Sequence, residues 1–336
     1  MTNGTEQTDW SELLDRVDAV VGLAEPLSAG LAYELADLPD EYVERLSAIA
    51  DGVRERNSGG TVDLCSIISA RTGGCAEDCS FCVQSVESSA QCEITPMVSA
   101  DEIVAAAKAA EARGVHRFCI VTSGGRLAGR DFDTAVEAVG RIRAETKLRR
   151  CASLGMLDAG QVEALKAAGL DRYHHNVETC SSFFPEICTT HSWEQRAGVV
   201  RLIKDSGIET CVGGILNVGE SPRQRVQLAL ELREFDPDSV PVNFLDPRPG
   251  TPVQDREPIG ALEATKFIAI FRLILPRARI RLAGGRAATF CEEPSAAFRG
   301  GADALLVGSL LTTDGPAVDA DMKMLDDLGF DRSAPS

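Results

Sequence analysis

A (β/α)8 barrel of the TIM type with an N-terminal helical extension is the fold this sequence predicts, and three features lead there. Eight short, β-branched runs recur at roughly 25–40-residue spacing. Amphipathic Ala/Glu/Leu-rich segments with helix caps separate nearly all of them. No linker or low-complexity tract interrupts residues 58–315. Strands alternating with helices build a parallel sheet, either closed as a barrel or open and doubly wound, and a count of eight favours closure.

In chain order, residues 8–57 read as helical and form the extension. The strand candidates are DLCSIIS (63–69), HRFCIVTS (116–123), LRRCASLG (148–155), DRYHHNVE (171–178), ETCVGGILN (209–217), SVPVNFLD (239–246), RIRLAGG (279–285) and ALLVGSLL (304–311). Among the intervening helices, residues 99–114 open on Ser99 as N-cap and stop at Gly114, 158–169 and 192–207 follow the same plan, and 221–236 opens similarly on Ser221. Domain boundaries follow: 1–57 extension, 58–315 barrel, 316–336 a C-terminal helix and a tail ending in SAPS.

A net charge of −17 disfavours nucleic acid as a partner, because such binding is led by Lys and Arg contacts to phosphate. Six lysines stand against 28 arginines, an acidic, Lys-poor balance that suits a salt-rich cytoplasm or reflects Arg-rich codon usage. No run approaches the ~20 apolar residues of a membrane span, and the acidic beginning lacks a basic-then-apolar leader, so the expected location is the cytoplasm. In a reducing compartment, eleven cysteines point to metal ligation or catalysis rather than disulfides.

Three of those cysteines lie in GGCAEDCSFCVQS just after the first strand: Cys75, Cys79 and Cys82, in a C-x3-C-x2-C arrangement. Thiolates bind iron strongly, and one short loop wraps a compact cluster. Three local thiolates on a four-iron cluster leave one iron open to a small molecule, whereas an electron carrier caps it with a fourth cysteine. Structural zinc takes four ligands. The loop sits at a strand's C-terminal end, the catalytic face of a barrel. The triplet, with Phe81 before its third cysteine, resembles the signature of radical S-adenosylmethionine (SAM) enzymes. The resemblance implies a [4Fe–4S] cluster whose open iron chelates SAM and reduces it to methionine and a 5′-deoxyadenosyl radical.

Cys119, Cys151 and Cys211 each lie inside a predicted strand two or three residues past its start, as does Arg281. On the second, third, fifth and seventh strands, all four point inward at similar height. Barrel interiors are normally filled by branched apolar side chains, so three thiols and an arginine there read as the ligand set of a second cluster.

Together, GGCAEDCSFCVQS, RFCIVTSG, RRCASLGML, YHHNVET, ETCVGGILNVGE, VPVNFLDPRPGTP, RIRLAGGR and GSLLTT make residues 60–315 resemble the biotin synthase family. That resemblance implies an auxiliary [2Fe–2S] cluster at Cys119, Cys151, Cys211 and Arg281. It also implies the insertion of sulfur from that cluster into dethiobiotin after radical hydrogen abstraction. By the same resemblance, Asn243 and His174 contact substrate, while Asn176, Glu178, Gly213, Gly214 and Ile215 join Phe81 around SAM. The implied partners are a flavodoxin- or ferredoxin-type reductant, cluster-assembly proteins and a second copy in a homodimer.

His174 stands where well-known members have asparagine, and Glu178 where they have aspartate. Cys188, in FFPEICTTHSWEQR, is absent from many members; placed near Cys119, Cys151 and Cys211 it would be a fourth thiolate for a larger, four-iron auxiliary cluster. Cys65, Cys92, Cys180 and Cys291 read as packing or loop thiols. Two other classes stay in view: a radical enzyme of the hydrogenase-maturation or methylornithine type, and a non-catalytic iron–sulfur protein.

Overall fold

The computed structural model describes residues 8–25, 27–90, 92–308 and 317–333. Three helices come first: α1 (Trp10–Gly22), α2 (Ala29–Leu35) and α3 (Val43–Ser58). Asp9 caps α1 through Ser11 N and Glu12 N, and Gly59 ends α3 in the left-handed region at φ 60°. The extension is tied down by backbone acceptors: Lys266 Nζ donates to Leu38 O at 3.1 Å and Arg233 Nη1 to Leu27 O at 2.7 Å.

The strands are β1 (Asp63–Arg71), β2 (Arg117–Thr122), β3 (Arg149–Ser153), β4 (Arg172–His174), β5 (Glu209–Cys211), β6 (Gly214–Leu216), β7 (Ser239–Phe244), β8 (Arg279–Leu282) and β9 (Ala304–Leu306). Every pairing between them is parallel, in the order β5-β4-β3-β2-β1-β9-β8-β7-β6, with β5 also paired to β7. The β5–β7 pairing closes the sheet. β5 and β6 are two halves of one stave, interrupted at Val212 and Gly213, so the barrel has the eight staves expected from the sequence.

The predicted helices α4 (Ala100–Ala112), α6 (Ala159–Ala168), α7 (Trp193–Asp205) and α8 (Pro222–Glu234) each begin with a reciprocal capping box, led by Ser99, Asp158, Ser192 and Ser221. With α5 (Gly129–Glu145) and α9 (Ala261–Ile274) they ring the barrel and bury their apolar stripes on its outer face. The C-terminal helix, α10 (Val318–Asp327), leads back to the start of β1, where Val62 N donates to Asp331 O and Asp331 N to Gly60 O. All of the GSLLTT run after Gly308 lies outside the described residues, as does the end of the 304–311 strand candidate. Among the described residues no helix is long and apolar enough to cross a membrane.

Candidate functional site

Inside the barrel lies a cavity of about 430 Å³, walled by inward residues of the staves and by the loop that follows β1. That loop is folded by its own backbone. Cys75 N donates to Gln84 O at 2.9 Å, Val86 N to Cys75 O at 2.8 Å, and Cys82 N to Cys79 O at 3.0 Å. Gly73 and Gly74 start it at φ 70° and 63°, a conformation that strains any residue with a Cβ. Cys75, Cys79, Cys82 and Phe81 all face the cavity, so the spacing read from sequence becomes a convergent set of thiols at its mouth. Burial pushes the Cys79 thiol up and that of Cys82 to about 11. Their thiolates are therefore costly without a cation, and iron supplies one.

Deeper in, Cys119, Cys151, Cys211 and Arg281 also line the cavity, all nearly inaccessible. Cys119 and Cys151 are directly paired in register across β2 and β3. Each of the four is the third residue of its stave, which sets them at comparable depth. Cys65, the third residue of β1, belongs to the same layer and packs against Cys119 and Cys151. It is a packing thiol, as read from the sequence, that also faces the cavity, and the shared offset from the strand start is the signal in the sequence that finds this.

Around these thiols the barrel floor is strongly charged. Asp63 Oδ2 accepts from Arg281 Nη2 at 2.6 Å and from Arg172 Nη1 at 3.2 Å. Glu209 accepts from Arg172 at 2.9 Å, from Arg117 at 3.2 Å and from Arg149. Arg117 is 2% exposed, yet its Nε and Nη1 have no partner. A buried guanidinium left half-unpaired is expensive, and the cavity face it meets is where a negatively charged cluster would satisfy it. Next to Cys211, His174 carries a raised pKa: burial alone would discharge the ring, but the neighbouring sulfur favours its charged form. Thiols plus surplus cations fit an anionic iron–sulfur cluster in chemistry and charge.

The remaining candidates divide. Asn176, Glu178, His174, Asn243 and Ile215 line the cavity. Asn176 accepts from Gly213 N at 3.1 Å and donates to Glu178 at 3.3 Å; Glu178, at φ 68°, lies 3.5 Å from Arg196. Asn243 bridges two staves, donating to Gly214 O at 3.1 Å and accepting from Gly284 N at 2.8 Å, so its amide is oriented by backbone. Gly213 and Gly214, expected beside SAM, are not among the residues that line the cavity. Their small size serves strand packing: an added Cβ would lie 1.9 Å from Pro241 O at Gly213 and 2.4 Å from Glu178 O at Gly214.

Cys188 also departs from expectation. The run after β4 folds back over the triplet loop, with Ser80 N donating to Ile187 O at 2.9 Å and Thr189 N to Asp78 at 2.9 Å. Cys188 Sγ ends 3.8 Å from Cys79 Sγ, 3.1 Å from Asp78 and 3.3 Å from His191, at the mouth and not among the deep thiols. Loop folding between distant segments sets this, and no spacing in the sequence encodes it. His191, bonded to Glu77 at 2.6 Å, is a further cavity residue; it lies in the FFPEICTTHSWEQR run, where the sequence drew attention to Cys188 alone.

Residues 70–232 match the family model described as the Radical SAM superfamily, and residues 241–331 match the Biotin and Thiamin Synthesis associated domain. The chain is 43% identical over 330 residues to the biotin synthase of Desulforudis audaxviator, covering 98% of this chain and 99% of that one. The biotin synthase of Heliobacterium modesticaldum is 42% identical, covering 95% and 98%. The chain belongs to the biotin synthase family. Among solved structures, methylornithine synthase superposes with a TM-score of 0.80 at 21% identity, covering 96% of this chain and 97% of that one. The hydrogenase maturase HydG from Carboxydothermus hydrogenoformans does so at 0.80 and 18%, covering 95% and 79%. At that identity the likeness is one of fold. Family membership brings a [4Fe–4S] cluster and SAM to this barrel.

Proposed function

We propose that this chain makes biotin by inserting sulfur into dethiobiotin. The observation that carries the reading is two sets of thiols facing one cavity, a triplet at the mouth and a second set on separate staves beneath it. When bound, the first cluster and SAM supply the hydrogen-abstracting radical, and the auxiliary cluster supplies the sulfur. In this reading Cys75, Cys79 and Cys82 hold the first cluster, with Phe81, Asn176, Glu178 and Ile215 shaping the SAM position. Cys119, Cys151 and Cys211 hold the auxiliary cluster, of the [2Fe–2S] type in the family pattern, with Arg281 beside them.

The protein's own part is positioning and the exclusion of water. Asn243, fixed by Gly214 O and Gly284 N, offers its remaining capacity to a ureido group, and His174 faces the same space. We read residues 58–315 as the catalytic barrel, 1–57 as the N-terminal helical extension and 316–336 as a C-terminal helix and tail. A flavodoxin- or ferredoxin-type reductant and cluster-assembly proteins complete the system. The chain works as a homodimer in the cytoplasm, whose reducing conditions suit eleven free cysteines.

The test is anaerobic incubation of the reduced, reconstituted protein with SAM and dethiobiotin. Biotin together with 5′-deoxyadenosine is the expected result. Deoxyadenosine without biotin would assign a different radical reaction, and neither product would overturn the reading.

A further inference from the structure

The geometry points to Cys65, and not Arg281, as the fourth protein ligand of the auxiliary cluster, a deduction that rests on the auxiliary site proposed above. Cys65 is the third residue of β1, as Cys119, Cys151 and Cys211 are of β2, β3 and β5. All four thiols are nearly inaccessible, all face the same cavity, and Cys65 packs directly against Cys119 and Cys151. Four thiolates are the common protein set for both [2Fe–2S] and [4Fe–4S] clusters.

Arg281 is committed elsewhere. Its Nη1 donates to two backbone carbonyls, Asp63 O at 3.1 Å and Leu305 O at 3.0 Å, and its Nη2 donates to Asp63 Oδ2 at 2.6 Å. To ligate iron, a guanidinium must present a lone pair, which it has only after losing a proton. Here three of its five N–H hydrogens are held by acceptors on two strands, and breaking those bonds would leave the buried Asp63 carboxylate with Arg172 as its remaining hydrogen-bonded partner.

Charge placement agrees. Arg117, whose Nε and Nη1 have no partner, is the register neighbour of Cys65 across β1 and β2. A thiolate at Cys65 adds negative charge beside that under-neutralised guanidinium, whereas a neutral thiol leaves it unanswered. Arg281, Arg117 and Arg172 thus act as counter-charges around an all-sulfur ligand set.

The experiment uses the full chain reconstituted anaerobically with 57Fe, and compares wild type, Cys65→Ala, Cys65→Ser, Cys119→Ala and Arg281→Lys by Mössbauer spectroscopy. We expect Cys65→Ala to lose the auxiliary iron as completely as Cys119→Ala, with the SAM-binding cluster's signal retained. Cys65→Ser should keep auxiliary iron with altered parameters, since oxygen replaces sulfur, and Arg281→Lys should keep it. In wild type grown with guanidino-15N arginine, the reduced auxiliary cluster should show no directly bonded 15N coupling by electron–nuclear double resonance. An unchanged auxiliary signal in Cys65→Ala, or a bonded 15N coupling in wild type, overturns the assignment. Should Cys65→Ala not fold, Cys65→Ser decides: unchanged parameters there also overturn it. Absence of any auxiliary signal in wild type would instead sink the underlying two-cluster reading, so the two failures are distinct.

Discussion

Replacing Asp63 by asparagine tests whether the barrel floor is held by a buried charge cluster. The Asp63 carboxylate is 4% exposed and accepts from Arg281 and Arg172, with Arg117 close enough to act on it electrostatically. The amide side chain would keep the shape but remove the charge, leaving buried guanidiniums with only Glu209 among the nearby carboxylates. Breaking a buried pair from one side costs about 3–5 kcal/mol, because the surviving charge stays desolvated. With an unfolding entropy of about 2.1 cal/mol/K per residue, a chain of 336 residues converts that loss to a fall in Tm of roughly 4–7 °C. The assay is thermal unfolding of the cluster-free protein by circular dichroism, in reductant and without oxygen. The effect also has a pH signature. Burial alone would raise the Asp63 pKa, but Arg281, Arg172 and Arg117 outweigh it and hold the value far below the ordinary carboxylate range. A folded-state value below the unfolded one makes the stabilisation complete above about pH 4, and it is lost only as pH falls through the depressed folded value. The Tm gap between wild type and Asp63→Asn should therefore stay constant from about pH 8 to pH 5 and narrow only in stronger acid. A fall below about 2 °C at neutral pH, or a gap that narrows between pH 7 and pH 5, would refute the reasoning.

Three further outcomes follow from local geometry. Gly213→Ala places a Cβ 1.9 Å from Pro241 O, so the split stave cannot keep its seat on β7; the variant should melt well below wild type or fail to express in soluble form. Tyr173→Phe removes a hydroxyl that donates to Gly155 O at 2.6 Å and accepts from Leu154 N at 2.9 Å, and chemical denaturation should register a loss of about 1–3 kcal/mol. Cys188→Ala should leave the auxiliary iron signal unchanged, because Cys188 lies 3.8 Å from Cys79 at the cavity mouth; loss of auxiliary iron in Mössbauer spectra would place it back among the deep thiols.

Most of the fold is legible in the sequence, because period and punctuation are local properties. Ser99, Asp158, Ser192 and Ser221 announce helix starts through bonds that span three residues, and each forms its capping box. Eight β-branched runs announce eight staves for a similar reason. The break at Gly213 within one of them is not legible, since it answers to Pro241 on the neighbouring stave. The glycines of GGILNVGE illustrate the same limit: in sequence they look like room for a ligand, and in the barrel Gly213 and Gly214 are room for another strand.

By itself, the sequence marked out the proposed radical centre, because Cys75, Cys79 and Cys82 sit on one loop whose short spacing keeps them close in any fold. It also placed thiols on separate strands, since alternation puts every second residue inward. The tertiary structure decided which sulfurs meet. Barrel closure fixes depth, and that brings Cys65 from β1 into the layer of Cys119, Cys151 and Cys211 while the folded-back run carries Cys188 to the mouth. It decided the hydrogen-bond partners of Arg281 as well, because Asp63 and Leu305 come from other strands. A contact such as that between Asp63 and Arg281, 218 positions apart, is set by closure of the sheet, and no local pattern encodes it.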